Sequence, residues 1–146
     1  MSTPKEDTVA AIMTRKLVTV SFDAPVKKAL ATMIRRDIGS VIVLKKGEPV
    51  GIITERDVTR NSLLPTRGKK VYERPVTRFM SHPLITVPST TPMWKAFEMM
   101  VTRRIRRLPI ERQGRLVGIV TERDLFKWAL RVFYEPNIPK HIRKFL

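Results

Sequence analysis

The chain is written twice. Shifting the sequence by 67 positions lays residues 13–58 on residues 80–125 without a gap, and 18 of the 46 aligned pairs are identical. Copies that similar share one fold. The period is longer than that of ordinary solenoid repeats, roughly 20–50 residues, so it indicates a duplicated domain. A copy of about 60 residues is marginal alone. The two copies are therefore expected to pack on each other around a pseudo-twofold axis, each covering part of the other's apolar surface.

The same succession of periodicities runs through each copy. Thr19-Val20 and Thr86-Val87 close short β-branched runs, residues 17–20 and 84–87, which read as strands. Val26, Ala29, Leu30, Met33 and Ile34 follow in the first copy, and Met93, Ala96, Phe97, Met100 and Val101 in the second. Their spacing of i, i+3, i+4, i+7, i+8 is one helix face. Pro25 and Pro92 fall in the first turn, where a missing N–H is tolerated. Strands are then predicted over 40–44 and 108–111, turns at Gly47 and Gly114, and return strands over 50–53 and 117–120. Closing helices are predicted over 58–64 and 125–132, the second with Leu125, Trp128, Ala129 and Val132 on one face. The fold class is α/β: two β-α-β-β-α motifs, at 9–64 and 76–133, with a linker over 65–75 and a basic tail over 134–146.

Composition narrows the function. The chain has 146 residues, 42% of them hydrophobic and spread along its length, which is a globular composition. No apolar run approaches the roughly 18–20 residues that span a bilayer, and the polar start, Met1-Ser2-Thr3-Pro4, lacks the apolar stretch of a signal peptide. A cytoplasmic protein without a membrane partner is expected. The absence of cysteine excludes disulfides, thiolate metal sites and a cysteine nucleophile. Lys and Arg number 29 against 13 Asp and Glu, a net charge of +16. Residues 74–146 carry 15 basic and 5 acidic groups, or +10, and residues 1–73 carry 14 and 8, or +6. Such a field attracts polyanions without choosing among nucleotides, nucleic acids and acidic surfaces.

The best-matched segment is Gly51-Ile52-Ile53-Thr54-Glu55-Arg56-Asp57, repeated as Gly118-Ile119-Val120-Thr121-Glu122-Arg123-Asp124. Both place a buried strand before a Thr-x-x-Asp that opens a helix. A threonine cap with an acid three residues on satisfies backbone donors and needs no function. The same geometry also offers N–H groups and a positive dipole end to a phosphate, and a carboxylate there can accept both hydroxyls of a ribose.

With Ile-Met-Thr at 12–14, Thr19-Val20, Pro25, the hairpin and Gly-Ile-Ile-Thr-Glu-Arg-Asp, the first copy resembles a CBS motif from end to end. So does the second, from Phe-Met-Ser at 79–81 through Arg-Arg-Leu-Pro-Ile at 106–110 to Asp124. The resemblance implies a regulatory CBS pair whose clefts between the motifs hold AMP, ADP or ATP, or in some relatives S-adenosylmethionine. By position, Asp57 and Asp124 take the ribose, and Thr54 and Thr121 the phosphate side. Asp124 shares its cleft with Thr14 and the backbone near Val18, Gly39 and Ser40, and Asp57 with Ser81 and the backbone near Ile85. Arg106 and Arg107 stand where relatives grip phosphates. The first copy has Gly39-Ser40 instead, so the Asp124 cleft is expected to bind phosphate better. The resemblance also implies a homodimer joined through the helices, reporting to a downstream protein.

Other features weigh less. Six arginines lie between Arg103 and Arg115, either a solvated face, a phosphate-gripping edge or a nucleic-acid contact. That run lacks the interleaved aromatics that would stack bases, so only weak nucleic-acid binding is expected. Nucleic-acid binding on a CBS scaffold remains the alternative function. His82 and His141 have no metal-ligand spacing. Trp128 reads as core or partner interface, Trp94 as half exposed, and Met93, Met99 and Met100 as core filler. There is no Walker loop, nucleophile elbow or His-Glu-x-x-His, so neither an enzyme nor a resident cofactor is expected. The tail from Tyr134, with Ile138, Ile142, Phe145 and Leu146, is expected to dock on a partner.

Overall fold

The computed structural model describes residues 7–62, 70–137 and 139–144. The chain divides into two compact units, one of Leu17–Ile85 and one of Met1–Lys16 with Thr86–Leu146. They are called here the central and the terminal unit, because the second holds both chain ends.

In the central unit the order is β1 (Thr19–Ser21), α1 (Val26–Arg36), β2 (Ser40–Lys45), β3 (Glu48–Thr54) and α2 (Glu55–Ser62). β1 lies parallel to β2, and β2 antiparallel to β3, in a sheet of order β1-β2-β3. The terminal unit repeats it with β4 (Val87–Pro88), α3 (Met93–Arg103), β5 (Arg107–Arg112), β6 (Arg115–Thr121) and α4 (Glu122–Tyr134), its sheet ordered β4-β5-β6. A short α5 (Lys140–Arg143) follows. The expected β-α-β-β-α order is present in both. The first strands are shorter than expected and start later. The hairpin strands are longer, and α2 and α4 begin three residues before the first apolar position, because the Thr-x-x-Asp cap itself sets the start.

Local chemistry fixes these elements. The hairpin turns are Lys46-Gly47 and Gln113-Gly114, all four residues at positive φ, the two-residue turn whose twist matches the strands. α1 and α3 each end on a left-handed residue, Asp37 at φ 52° and Arg104 at φ 55°. The next N–H then reaches back five residues, Ile38 to Met33 O and Ile105 to Met100 O, which closes the helix in a Schellman turn. Pro25 and Pro92 occupy the capping position just outside the helix, with extended backbones, one residue earlier than expected.

The two cores use matching positions. Val20, Val26, Ala29, Met33, Val41, Val43, Ile53 and Val58 are buried in the central unit. Val87, Met93, Ala96, Met100, Leu108, Ile110, Val120 and Leu125 are their buried counterparts in the terminal unit. The helix faces expected from periodicity therefore split. Leu30 is half-buried, and Phe97, Val101 and Ile34 are exposed, while Met93 and Met100 are core.

The units do not coincide with the repeats, because the segment that precedes each repeat packs on the other one. Val9, ahead of the first repeat, is fully buried in the terminal unit, where Val9 N–H reaches Thr91 O and Met93 N–H reaches Asp7 O. Val76, ahead of the second, is fully buried in the central unit, its N–H on Ala24 O. The end of the expected linker is folded as well: a 3-10 turn at Val71–Glu73 leads to Arg74, whose carbonyl accepts the Val26 N–H. Residues 65–69 lie outside the described residues, as do Leu63 and Leu64 of the expected closing helix.

Among the described residues no helix is long and apolar enough to cross a membrane.

Candidate functional site

In each unit the last strand of the hairpin runs directly into the cap of the closing helix. At Thr54 the backbone N–H and the hydroxyl both donate to Asp57 Oδ2, at 2.8 and 2.9 Å, and the Asp57 N–H donates to Thr54 Oγ1 at 3.2 Å. Thr121 and Asp124 repeat this with 2.8, 2.8 and 3.2 Å. The bland reading of Thr-x-x-Asp is thus realised in full as a reciprocal cap. Nothing in that precludes the other reading. Oδ2 of each aspartate is committed to the cap, and Oδ1 has no hydrogen bond among the described residues. Both carboxylates are half-buried and held at a fixed orientation, as a binding carboxylate must be.

The helix dipole end is less open than the sequence suggests. Glu55 N–H donates to Gly39 O at 3.1 Å, and Glu122 N–H to Arg106 O at 2.9 Å. With the third donor taken by the threonine hydroxyl, two of the first three helical N–H groups are already satisfied.

The antiparallel register brings further expected residues to the same places. Thr54 pairs with Ser40 and Thr121 with Arg107. Thr14 forms a two-bond bridge to Ile119, Thr14 N–H to Ile119 O and back, at 2.9 and 3.0 Å. Ser81 does the same with Ile52 at 2.8 and 3.1 Å. Thr14, Arg106, Arg107, Thr121 and Asp124 therefore belong to the terminal unit. Val18, Gly39, Ser40, Thr54, Asp57, Ser81 and Ile85 belong to the central unit. Thr14 and Ser81 are exposed, and Val18 uses its carbonyl on the Ile42 N–H at 3.0 Å.

The electrostatic difference between the two caps is plain. Beside Thr121 the chain carries Arg106 and Arg107, and beside Thr54 it carries Gly39 and Ser40. Arg106 is exposed and sits 3.6 Å from Glu122 Oε2, a solvent-screened pair. Arg107 is half-buried. The arginine run is not one patch, however. β5 separates Arg103, Arg104, Arg106 and Arg107 at one end from Arg112 and Arg115 at the hairpin tip, and Arg112 Nε bonds Ser89 Oγ at 3.2 Å.

Sequence reasoning missed the two residues that let the bridges form. A Cβ on Gly118 would lie 2.7 Å from Met13 Sδ and 3.0 Å from Thr14 O. On Gly51 it would lie 2.8 Å from both Met80 Sδ and Ser81 O. The signal was present: both glycines sit inside strand patterns, where a glycine marks a close backbone approach. Among the described residues no three His, Cys, Asp or Glu side chains gather as a metal site requires.

A duplicated α/β module with a rigid Thr-x-x-Asp cap in each copy is the class that fold and geometry define. Residues 9–63 and 76–131 each match the CBS domain family, and the chain belongs to it, carrying two copies. An uncharacterized protein of Methanopyrus kandleri is 34% identical over 139 residues, 94% of this chain and 69% of that one. Among curated relatives the spanned share varies, with 32% of a Methanocaldococcus jannaschii protein and 79% of the Bacillus subtilis CBS domain-containing protein YhcV. The likeness to the inosine-5'-monophosphate dehydrogenase of Thermoplasma acidophilum, 30% identical, covers only 22% of that enzyme. Among solved structures, a conserved protein from Pyrococcus horikoshii is 32% identical with a TM-score of 0.75, covering 86% of this chain and 93% of that one. The fold is also that of two 22% identical proteins with TM-scores of 0.74. One was crystallised with AMP, the other, a CBS pair, with 5-methylthioadenosine and S-adenosylmethionine.

Proposed function

We propose that the chain is a regulatory, non-catalytic module of the cytoplasm that binds an adenosine nucleotide, AMP, ADP or ATP, and passes its presence to a partner protein. The observation that carries the reading is the paired cap. Each motif fixes an aspartate by Oδ2 and leaves Oδ1 available to ribose hydroxyls. In the terminal unit the same strand ends bear Arg106 and Arg107, whose forks fit phosphate oxygens. Relatives of the same fold crystallised with adenosine compounds support the base and sugar part. They also keep S-adenosylmethionine as a second ligand class, one that would use the ribose aspartates and not the arginines.

A thermal-shift series decides between these. A ligand at 100 times its dissociation constant stabilises the folded state by about 2.7 kcal/mol, roughly 5 °C or more for a chain this size. AMP, ADP or ATP is expected to raise Tm by that much. Inorganic phosphate at equal ionic strength is expected to raise it less. Equal shifts from nucleotide and phosphate reject the proposal, and a shift from S-adenosylmethionine alone moves it to the second ligand class.

A further inference from the structure

The segment that opens the terminal unit touches it on either side of the Thr121–Asp124 cap. At one end Thr14 bridges Ile119 in β6, two residues before Thr121, by bonds of 2.9 and 3.0 Å. At the other end Asp7 Oδ2 accepts the Nε1–H of Trp128 in α4, four residues beyond Asp124, at 2.8 Å. Between them Val9 is fully buried with its N–H on Thr91 O, and Met13 lies against Gly118. Asp7 O also accepts the Met93 N–H at the start of α3, at 3.1 Å. Residues 7–14 thus span from β6 to α4, and the cap is the bend between those two elements. The central unit repeats only one end of this arrangement. Ser81 bridges Ile52 as Thr14 bridges Ile119. Arg74 stands where the terminal unit has Asp7, and Asn61 where it has Trp128. Asn61 Nδ2 donates to Asp57 O at 2.7 Å, within its own helix. The side-chain tie of that segment goes to the first helix, from Glu73 to Lys27 at 2.9 Å, and both groups are exposed.

We infer that Asp7 and Trp128 are positioning residues for Asp124: their bond closes a brace across the cap and fixes the angle at which α4 leaves β6. The cap bonds set how the Asp124 carboxylate lies on its own helix, and the brace sets how that helix lies on the sheet. A binding carboxylate needs both, because its geometry must hold to within about 0.5 Å. The closing bond is of the stronger kind, since its acceptor is a carboxylate and both partners are half-buried. The indole is held on a second side by Phe133, edge-on with 6.0 Å between centroids. Asp57 has the cap without the brace, so α2 is oriented by its packing and its own bonds alone. The brace itself does not depend on any ligand, and its consequence for affinity rests on the nucleotide reading.

Amide hydrogen exchange of the full chain, read by NMR, tests the brace directly. Asp7→Ala and Trp128→Phe are expected to speed exchange of the Thr121, Glu122 and Asp124 N–H groups about tenfold, the lower end of what a hydrogen bond to a charged group is worth. Thr54, Glu55 and Asp57 are expected to keep their native rates. Asp7→Asn keeps an oxygen for the indole and is expected to restore most of the protection. Arg74→Ala, the matching change in the central unit, is expected to move neither cap. Native rates at Thr121 and Asp124 in Asp7→Ala overturn the inference, and so does equal acceleration at both caps, which is general destabilisation. Calorimetry with AMP reads the consequence. Asp7→Ala is expected to weaken binding about three- to tenfold in the native background and not to weaken it further in Asp124→Ala. The same loss in both backgrounds overturns the positioning role. Absence of AMP binding to the native chain rejects the nucleotide reading instead, and the exchange rates then decide the brace.

Discussion

Asp57 and Asp124 sit in the same cap but not in the same field. Both hold the threonine N–H and hydroxyl through Oδ2, yet Asp124 lies beside a strand end bearing Arg106 and Arg107, and Asp57 beside one bearing Gly39 and Ser40. On the proposed reading a nucleotide phosphate is expected to gain more at the terminal unit, and that site to dominate the affinity. Asp124→Ala is expected to weaken nucleotide binding by about 1–3 kcal/mol, the value of a lost bond to a charged group, and Asp57→Ala by less. Calorimetry well below the melting temperature separates this from helix destabilisation, and equal losses would reject the asymmetry. Gly51 and Gly118 act through space, not conformation. A methyl at either position meets the docked segment at under 3 Å. Gly118→Ala and Gly51→Ala are expected to cost about 1–3 kcal/mol each, as overpacking does. Gly51→Ala should be the worse, because the Ser81 carbonyl it meets is nearer than the Thr14 carbonyl at Gly118. Urea unfolding measures both.

At the scale of elements the closing helices depend on their caps, because α2 is only eight residues long and buries Val58 alone through its apolar face. Thr54→Ala removes the hydroxyl that serves Asp57 on both sides of the cap. A loss of about 1 kcal/mol is expected, with Thr54→Ser close to the native value. The urea midpoint should fall with its slope unchanged. A full-size loss in Thr54→Ser would show that the methyl, not the hydroxyl, matters. Most of this level was legible in the sequence. The helix faces, the hairpins and the cap follow from spacing and from turn chemistry, which are local. What was not legible is pairing between distant segments. Val9 and Val76 occupy equivalent places before repeats of the same apolar pattern, so each fits either motif by pattern, and only packing selects the other one. For the same reason periodicity put Phe97 with Met93 and Met100, although the two methionines are buried and the ring is exposed. An apolar face wider than the core needs looks the same, in sequence, as core. Trp128 shows the mixed case: half-buried, it donates Nε1–H to Asp7 Oδ2 at 2.8 Å and stands edge-on to Phe133, 6.0 Å between centroids. The candidate site was legible as residue types, and not in the strand register or in the prior commitment of Oδ2 and the first helical N–H to the protein itself.

For the whole molecule the governing quantity is charge. At +16 the chain attracts any polyanion at low salt. Tight single-strand binding needs more, a continuous basic track with rings to stack on bases. The described surface does not supply that combination. The arginine run is divided by the length of β5, with the hairpin tip at one end and the α3–β5 corner at the other. Of the exposed rings, Trp94 and Phe97 lie on α3, Phe126, Phe133 and Tyr134 on α4, and Tyr72 in the 3-10 turn at Val71–Glu73; of those arginines only Arg103, at the end of α3, shares an element with any of them. Attraction without readout has a definite signature. Affinity for an oligonucleotide is expected to be weak at physiological salt, with a dissociation constant of about 1–100 µM as for non-specific binding, and to fall linearly in log–log with salt. It should be indifferent to sequence. Nucleotide binding, which rests on a few short bonds, should fall much less over the same range. Fluorescence titrations with AMP and with a short oligonucleotide at two salt concentrations make the comparison. A dissociation constant below about 0.1 µM at physiological salt, tighter than non-specific binding allows, would make nucleic acid the ligand and the CBS pair its scaffold.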